Sequence, residues 1–348
     1  MIAMAVREYG APLERIELPE PELRPGYALL EVLTCGVCFS DVKTSRGRMP
    51  FSDRLSLPHV PGHEVCARVV RSDPAVIEPG TTVVANHLWP CRRCARCRAG
   101  IEQQCTNPQG WTGFMTPGGF EERLVVPIDR LTKVPDEIDP VHAAPLTCAV
   151  GTAYRAVTTR ARVAPGSRVV VIGLGGVGIH ALQIAGAAGA RVTGLDVSPR
   201  ALEVAGELGL EALATEDTAA EERISGLSDN NGGADVVIDT VGSEATLAQA
   251  FRLVRAGGRI VGVGYAVDSN IVLPTARFVL EEVELVGSRY VALDELEQAI
   301  ALVADGRVQV VIDRVLPLAE ANAALEALEA GDVVGRVVLD VAGVSGAD

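Results

Sequence analysis

The chain has 348 residues, 48% of them hydrophobic and 22% charged, and carries a formal net charge of −14. That length suits two domains and the composition is globular, while the acidic balance argues against a nucleic-acid binder, which needs a basic face. The N-terminus has no apolar core behind a basic stretch, and no run of about twenty apolar residues occurs anywhere, so neither a secretory leader nor a membrane span is expected.

In chain order, the first region runs to about residue 148 and is rich in Gly and Pro. Short β-branched runs at Tyr27–Leu33, Val65–Arg71, Thr82–Ala85 and Arg123–Val126 alternate with turn pairs such as Pro25-Gly26 and Pro79-Gly80. This predicts an all-β region with loops. Inserted into it are Cys91, Cys94, Cys97 and Cys105, with the spacing C-x2-C-x2-C-x7-C. Four thiolates at that density are the signature of structural zinc. Arg92, Arg93, Arg96 and Arg98 within the loop read as a solvated basic cluster that offsets thiolate charge. Eight cysteines in a chain of this size fit metal binding in a reducing, cytoplasmic compartment better than disulfides.

After Pro165-Gly166 the texture changes. Apolar strands are predicted at Arg168–Ile172, Arg191–Leu195, Asp235–Asp239, Arg259–Val263 and Glu284–Gly287. They alternate with helices running through Ala188, over Pro199–Leu208 and over Ser243–Val254. Strands that are apolar throughout, alternating with helices, imply a doubly wound parallel sheet covered on both faces. Helices are also expected at Leu293–Ala304 and Leu318–Glu329.

The first of these strands runs into Gly173-Leu174-Gly175-Gly176-Val177-Gly178, a G-x-G-x-x-G run that opens a helix. An acidic residue, Asp196, follows about twenty positions on, at the end of the next strand. Together these features form a dinucleotide fingerprint. Gly173 allows the tight turn, Gly175 lets the backbone approach a pyrophosphate, and Gly178 permits close helix–strand packing. Gly176 and Val177 lie at the helix N-terminus, which offers N–H groups and a positive dipole end to phosphates. Asp196 would accept hydrogen bonds from the adenosine ribose and would repel a 2′-phosphate, which favours NAD over NADP. Arg200 either flanks that ribose or is a plain surface residue. Val263, at the end of a later strand, is a further candidate cofactor contact.

Cys38, His63 and Cys148 also have ligand chemistry. Singly, each reads as a core residue. Together they would form an S–N–S set with one open position, the arrangement of a catalytic zinc. Spacing alone leaves both readings open.

The motifs Gly36-Val37-Cys38-Phe39-Ser40-Asp41, Pro61-Gly62-His63-Glu64, Cys91 to Cys105, Cys148-Ala149-Val150-Gly151-Thr152 and the glycine fingerprint occur in this order. Over essentially the whole chain the pattern resembles the zinc-dependent medium-chain alcohol dehydrogenases. The resemblance implies an α/β architecture in which a GroES-like, β-barrel-type catalytic domain is joined to a doubly wound Rossmann domain. The catalytic domain would span 1–148, carry the structural-zinc loop and be completed by 290–348; the Rossmann domain would span 149–289. It implies NAD and two zinc ions per chain, one catalytic and one structural. Cys38, His63 and Cys148 are then the catalytic zinc ligands, and Asp41 orients the ligating imidazole. Glu64 lies beneath the metal, Ser40 takes the proton from the alcohol, Thr152 lies near the nicotinamide and Arg336 reaches the cofactor phosphates.

The implied reaction is reversible hydride transfer between a primary or secondary alcohol, held as its alkoxide by zinc, and NAD. Small-molecule alcohols and the matching aldehydes or ketones would be the partners, and the chain would assemble as a homodimer or homotetramer through the stretch Arg259 to Ser269 and the last strand of the cofactor domain. Phe39 and Lys43 depart from the family pattern. Phe39 cannot contact a pyrophosphate ionically, and Lys43 is either a proton relay or an exposed lysine. Phe39, His87, Trp111 and Phe114 are candidate pocket residues, with core packing as the other reading for Trp111 and Phe114. Two alternative functions stay open: a zinc-free, NADPH-dependent enoyl or quinone reductase on the same fold, and a non-catalytic dinucleotide-binding protein.

Overall fold

The computed structural model describes residues 1–215, 224, 232–267 and 269–344. The chain divides into two compact units. One comprises Met1–Cys148, Val291–Ala304 and Ile312–Asp348; the other comprises Ala149–Tyr290 and Asp305–Val311. Of the stretch in which association was expected, Asp268 lies outside the described residues.

The first unit is built on a seven-stranded sheet, in which the long strand Tyr27–Val37 is the organiser. Its first half, Tyr27–Glu31, pairs with Arg123–Pro127, and its last residues, Thr34–Val37, pair with Arg336–Asp340 near the C-terminus. Along its other edge it pairs antiparallel with Glu64–Asp73, with Gly36 opposite Glu64. Beyond that lie Thr82–Ala85 and Leu131–Lys133, and Ile312–Pro317 flanks the C-terminal strand. Alternate residues of these strands, among them Leu30, Val32, Val65, Ala67, Val83, Leu124, Val337 and Leu339, form one apolar core with Phe120. The strand runs expected here are all present. The short pair Ile2–Ala5 and Glu14–Glu17, whose strands are only four residues each, was not singled out from the sequence.

The second unit is a six-stranded parallel sheet in the spatial order Ala212–Ala214, Arg191–Asp196, Arg168–Ile172, Ala234–Asp239, Val254–Gly262, Glu284–Gly287. That order runs outward in both directions from the first strand in sequence, so a crevice opens between Arg168–Ile172 and Ala234–Asp239, where the winding reverses. Val169 to Ile172 are all buried, as expected of a strand covered on both faces. Helix Pro199–Glu207 starts where Ser198 caps Ala201 N–H and Pro199 fills the first turn. Helix Glu244–Leu253 is capped by Ser243 and Thr246 and ends one residue earlier than expected, because Val254 is already extended and begins a strand. Within the expected 318–329 helix, Leu318–Glu320 is a 3₁₀ turn that precedes helix Ala321–Glu329. Asp305–Val311, which the resemblance assigned to the first domain, belongs to the second unit. There Gln183 exchanges two hydrogen bonds with the Gln309 backbone (2.9 and 2.8 Å), and His180 Nε2 accepts Val311 N–H at 3.0 Å. Among the described residues, no helix is long and apolar enough to cross a membrane.

Candidate metal centres and cofactor turn

Strand register brings the buried set together. Because Gly36 pairs with Glu64, the residues just beyond the strand end, including Cys38, lie beside the segment leading into Glu64, including His63. Val337 pairs with Val37 on the other side, which sets Arg336 against Cys38. Cys148 follows the 3₁₀ turn Ala144–Thr147 and comes within 3.4 Å of His63 Nε2. One ligand atom from each of Cys38, His63, Glu64 and Cys148 lies within 4.8 Å of the others. A sulfur and an imidazole nitrogen on one tetrahedral zinc stand about 3.6 Å apart, so the donor set fits that ion.

Asp41 organises this centre from the first turn of helix Phe39–Ser45. Its Oδ2 accepts Cys38 N–H at 2.8 Å, and its Oδ1 meets Gly62 N–H at 3.1 Å and His63 Nδ1 at 3.2 Å. With Nδ1–H donated to a carboxylate, the Nε2 lone pair is free to face the sulfurs. Gly62 is required where it stands: its φ is +98°, and a Cβ there would meet Phe120 Cδ1 at 2.5 Å.

The electrostatics reflect crowded sulfur and carboxylate. Cys38 is held well below the usual thiol range, first because the Cys148 thiol donates to it, with Arg336 and His63 adding to the effect; Cys148 is pushed well above. Burial would lower His63, but Asp41 and Cys38 outweigh it and raise it. Burial pushes Glu64 up to about 7, against the pull of Arg336.

The second cluster is local. The sulfurs of Cys91, Cys94, Cys97 and Cys105 lie within 4.8 Å of one another, all half-buried. Sulfur separations are 3.4 Å for Cys94–Cys97 and 4.0 Å for Cys91–Cys97. Four sulfurs around a tetrahedral zinc would be about 3.8 Å apart. Backbone N–H groups of Cys91, Cys94 and Cys97 donate to neighbouring sulfurs at 3.2 to 3.5 Å. Such donation favours thiolate, and the Cys97 N–H leads the causes that bring Cys94 down to about 5. The four arginines of the loop are exposed, as a solvated cluster would be.

In the second unit, Gly173 has φ +85°, and a Cβ on Gly178 would lie 1.7 Å from Gly173 O, so turn and helix start touch as the fingerprint requires. A Cβ on Gly175 would meet nothing within 4 Å, which leaves the turn surface open to a ligand. Helix Gly178–Ala187 has no side-chain cap. Its N-terminus therefore suits a pyrophosphate. Asp196 ends the neighbouring strand, where its carboxylate accepts Leu174 N–H at 2.5 Å and Ser198 N–H at 2.8 Å. Sequence reasoning did not single out Thr240, whose hydroxyl ties Ile172 O and Gly173 O at 3.1 and 2.9 Å, across the crevice beside the first strand.

Residues 24–136 match the alcohol dehydrogenase GroES-like domain, and residues 176–305 match the zinc-binding dehydrogenase domain. The chain belongs to the zinc-dependent medium-chain alcohol dehydrogenase family. An alcohol dehydrogenase of Geobacillus stearothermophilus is 32% identical over 343 residues, covering 97% of this chain and 98% of that protein. The crystal structure of the alcohol dehydrogenase of the archaeon Aeropyrum pernix is 31% identical, with a TM-score of 0.89 over 98% of this chain and 100% of that one. A crystal structure described as an NAD-dependent alcohol dehydrogenase matches at 30% identity and a TM-score of 0.90, over 98% of this chain and 100% of that one. The GroES-like and Rossmann-type architectures are thereby shown, and the protein is an oxidoreductase.

Within this dehydrogenase, several side chains sit where the sequence did not lead. Arg336 is only 4% exposed, and its guanidinium is turned onto Glu64 (2.9 and 3.1 Å from Nε) and onto Cys38 Sγ (3.5 Å), not left extended for a phosphate. Gly36 makes room for this pair, since a Cβ there would lie 2.3 Å from Glu64 Oε2. Trp111 and Phe114 are buried in an aromatic cluster, with Phe114 4.6 Å from the His63 ring and 4.9 Å from Trp111. His87 stands edge-on to His63 at 5.4 Å, and Phe51, which sequence reasoning missed, reaches Trp111 at 4.9 Å. Phe39 is 48% exposed, with the Lys43 ammonium 5.8 Å from its ring centroid. Burial holds Lys43 below the usual lysine range. Ser40 Oγ is 3.7 Å from Cys38 Sγ. In the second unit, Thr152 is buried on helix Ala149–Arg155, Val263 N–H bonds Asp239 O at 2.8 Å, and Arg200 is exposed.

Proposed function

We propose that the protein is an NAD-dependent alcohol dehydrogenase that interconverts a primary or secondary alcohol with its aldehyde or ketone. It uses one catalytic zinc held by Cys38, His63 and Cys148 and one structural zinc held by Cys91, Cys94, Cys97 and Cys105. The observation that carries this reading is the convergence of the Cys38, His63 and Cys148 donor atoms with Glu64 to within 4.8 Å, in a buried position. The similarity to the crystal structure of an NAD-dependent alcohol dehydrogenase adds support.

When bound, zinc lowers the pKa of an alcohol and polarises a carbonyl. The chain's own residues do the remaining work. Asp41 fixes the His63 tautomer, and Arg336 holds Glu64 beside the sulfurs by a buried ion pair. The Ser40 hydroxyl, at the same edge of the centre, accepts the proton of the alcohol. Its onward path runs through ribose hydroxyl and water, with the half-buried Lys43 as the nearby alternative. The glycine turn holds the pyrophosphate through Gly173, Gly175, Gly176, Val177 and Gly178. The Asp196 carboxylate takes the ribose hydroxyls and discriminates against a 2′-phosphate, with Arg200 beside it and Thr152 and Val263 toward the nicotinamide.

All eight cysteines are free thiols, which supports a reducing, cytoplasmic setting. Exposed apolar residues Val272, Val279 and Leu280 (66%, 65% and 82% exposed) support a homodimer or homotetramer.

A screen of primary and secondary alcohols with NAD and NADP, following absorbance of the reduced nicotinamide, tests the assignment. Turnover with NAD is expected, and Asp196→Ala should raise the NAD Michaelis constant about tenfold while changing that for NADP less. Turnover confined to enones or quinones with NADPH would favour the zinc-free reductase instead.

A further inference from the structure

Two neighbouring strands of the parallel sheet end at the same crevice. Arg168–Ile172 runs into the glycine turn, and Ala234–Asp239 runs into Thr240, Val241 and Gly242. Thr240 is half-buried there. Its backbone N–H donates to Ile172 O at 3.0 Å, which carries the pairing one residue past Asp239. Its hydroxyl reaches Ile172 O at 3.1 Å and, more closely, Gly173 O at 2.9 Å.

Gly173 O and Leu174 N–H belong to one planar trans peptide and point in opposite directions. Thr240 holds the carbonyl end. At the other end Leu174 N–H donates to Asp196 Oδ2 at 2.5 Å, while Asp196 Oδ1 accepts Ser198 N–H at 2.8 Å. A line of hydrogen bonds therefore runs from the Thr240 hydroxyl, through a single peptide, to the carboxylate assigned to the ribose.

Thr240 is itself fixed from behind. The Asp239 carboxylate is fully buried and accepts Val241 N–H at 2.9 Å, Gly242 N–H at 3.0 Å and the Thr246 hydroxyl at 2.9 Å. A Cβ on Gly264 would lie 2.3 Å from Thr240 O, and one on Gly173 would lie 2.8 Å from Thr240 Oγ1, so the loops meet backbone to backbone. A hydroxyl held this firmly fixes the tilt of the peptide it touches, and an acceptor oriented in advance costs less to order when a ligand arrives.

We propose that Thr240 is a positioning residue for the dinucleotide: through the Gly173–Leu174 peptide, its hydroxyl sets the orientation of the Asp196 carboxylate toward the adenosine ribose. This role rests on the NAD reading above and adds to it a residue that acts without touching the reacting atoms.

Calorimetric titration of the full-length, zinc-loaded protein with ADP-ribose, the half of NAD that meets Asp196, is the test. Thr240→Val should weaken binding about tenfold, the scale of one lost hydrogen bond, and Thr240→Ser, which keeps the hydroxyl, should stay within about twofold of the wild type. Thr240→Ala should match Thr240→Val and serves if that variant does not fold. In an Asp196→Ala background, Thr240→Val should cost less than about threefold, because two residues on one line of contacts do not add. A role confined to stability would lower the melting temperature of Thr240→Val and leave ADP-ribose binding as it was, and that result would overturn the proposal. So would a tenfold loss that persists without the Asp196 carboxylate, or a Thr240→Ser variant as weak as Thr240→Val. Each of those results leaves the NAD reading standing, whereas a wild type that does not bind ADP-ribose overturns both.

Discussion

Cys91, Cys94, Cys97 and Cys105 come from one loop, remain half-buried and hold one another through their own backbone N–H groups. Cys38, His63 and Cys148 come from three separate parts of the first unit and are buried; an antiparallel register sets Cys38 beside His63, and Cys148 joins them from the end of the 3₁₀ turn Ala144–Thr147. The difference teaches what each site depends on. The loop cluster needs little besides its own spacing. The buried centre needs the whole sheet, since a slip of one residue would turn its side chains to the opposite face. It also needs supporting charge, and Asp41 and Arg336 supply it from either side.

The sharpest way to break that contrast is to remove the distant support. Arg336→Ala would leave the Glu64 carboxylate buried without its counter-charge, and breaking such a pair costs about 3–5 kcal/mol. Urea unfolding of the zinc-loaded protein should show a loss of that size. A loss below about 1 kcal/mol, the range of exposed pairs, would mean that the buried centre does not rely on the C-terminal strand. A smaller effect is expected from Asp41→Asn, which keeps shape but weakens the orientation of His63. Zinc affinity at the buried centre should fall about 10- to 100-fold, with the loop cluster unchanged, as read by competition with a chromogenic chelator. Equal weakening of both sites would erase the distinction between them.

The same contrast governs how much was legible in the sequence. The parallel sheet announced itself because strands carry continuous apolar runs such as Val169 to Ile172, and the loop cysteines lie within one short segment. The glycine turn was legible because each glycine answers a local demand, as Gly178 does against Gly173 O. Cys38, His63 and Cys148 were ambiguous by spacing, because nothing local records that Gly36 will face Glu64. For Arg336, the sequence shows a basic residue at a strand start, but not that Val337 pairs with Val37 and so directs the guanidinium onto Glu64 and Cys38. Phe51 escaped notice because it precedes a short 3₁₀ turn with no periodic apolar pattern, yet it packs on Trp111.

The central claim is that three distant residues hold a reactive ion of their own, separate from the loop's. Counting zinc per chain by elemental analysis in the wild-type protein, Cys38→Ser and Cys94→Ser tests it most directly. Two ions are expected in the wild type and one in each variant, with alcohol-dependent reduction of NAD falling at least a thousandfold in Cys38→Ser while its melting transition is kept. A wild type that holds a single ion, lost with Cys94 and untouched by Cys38→Ser, would contradict it.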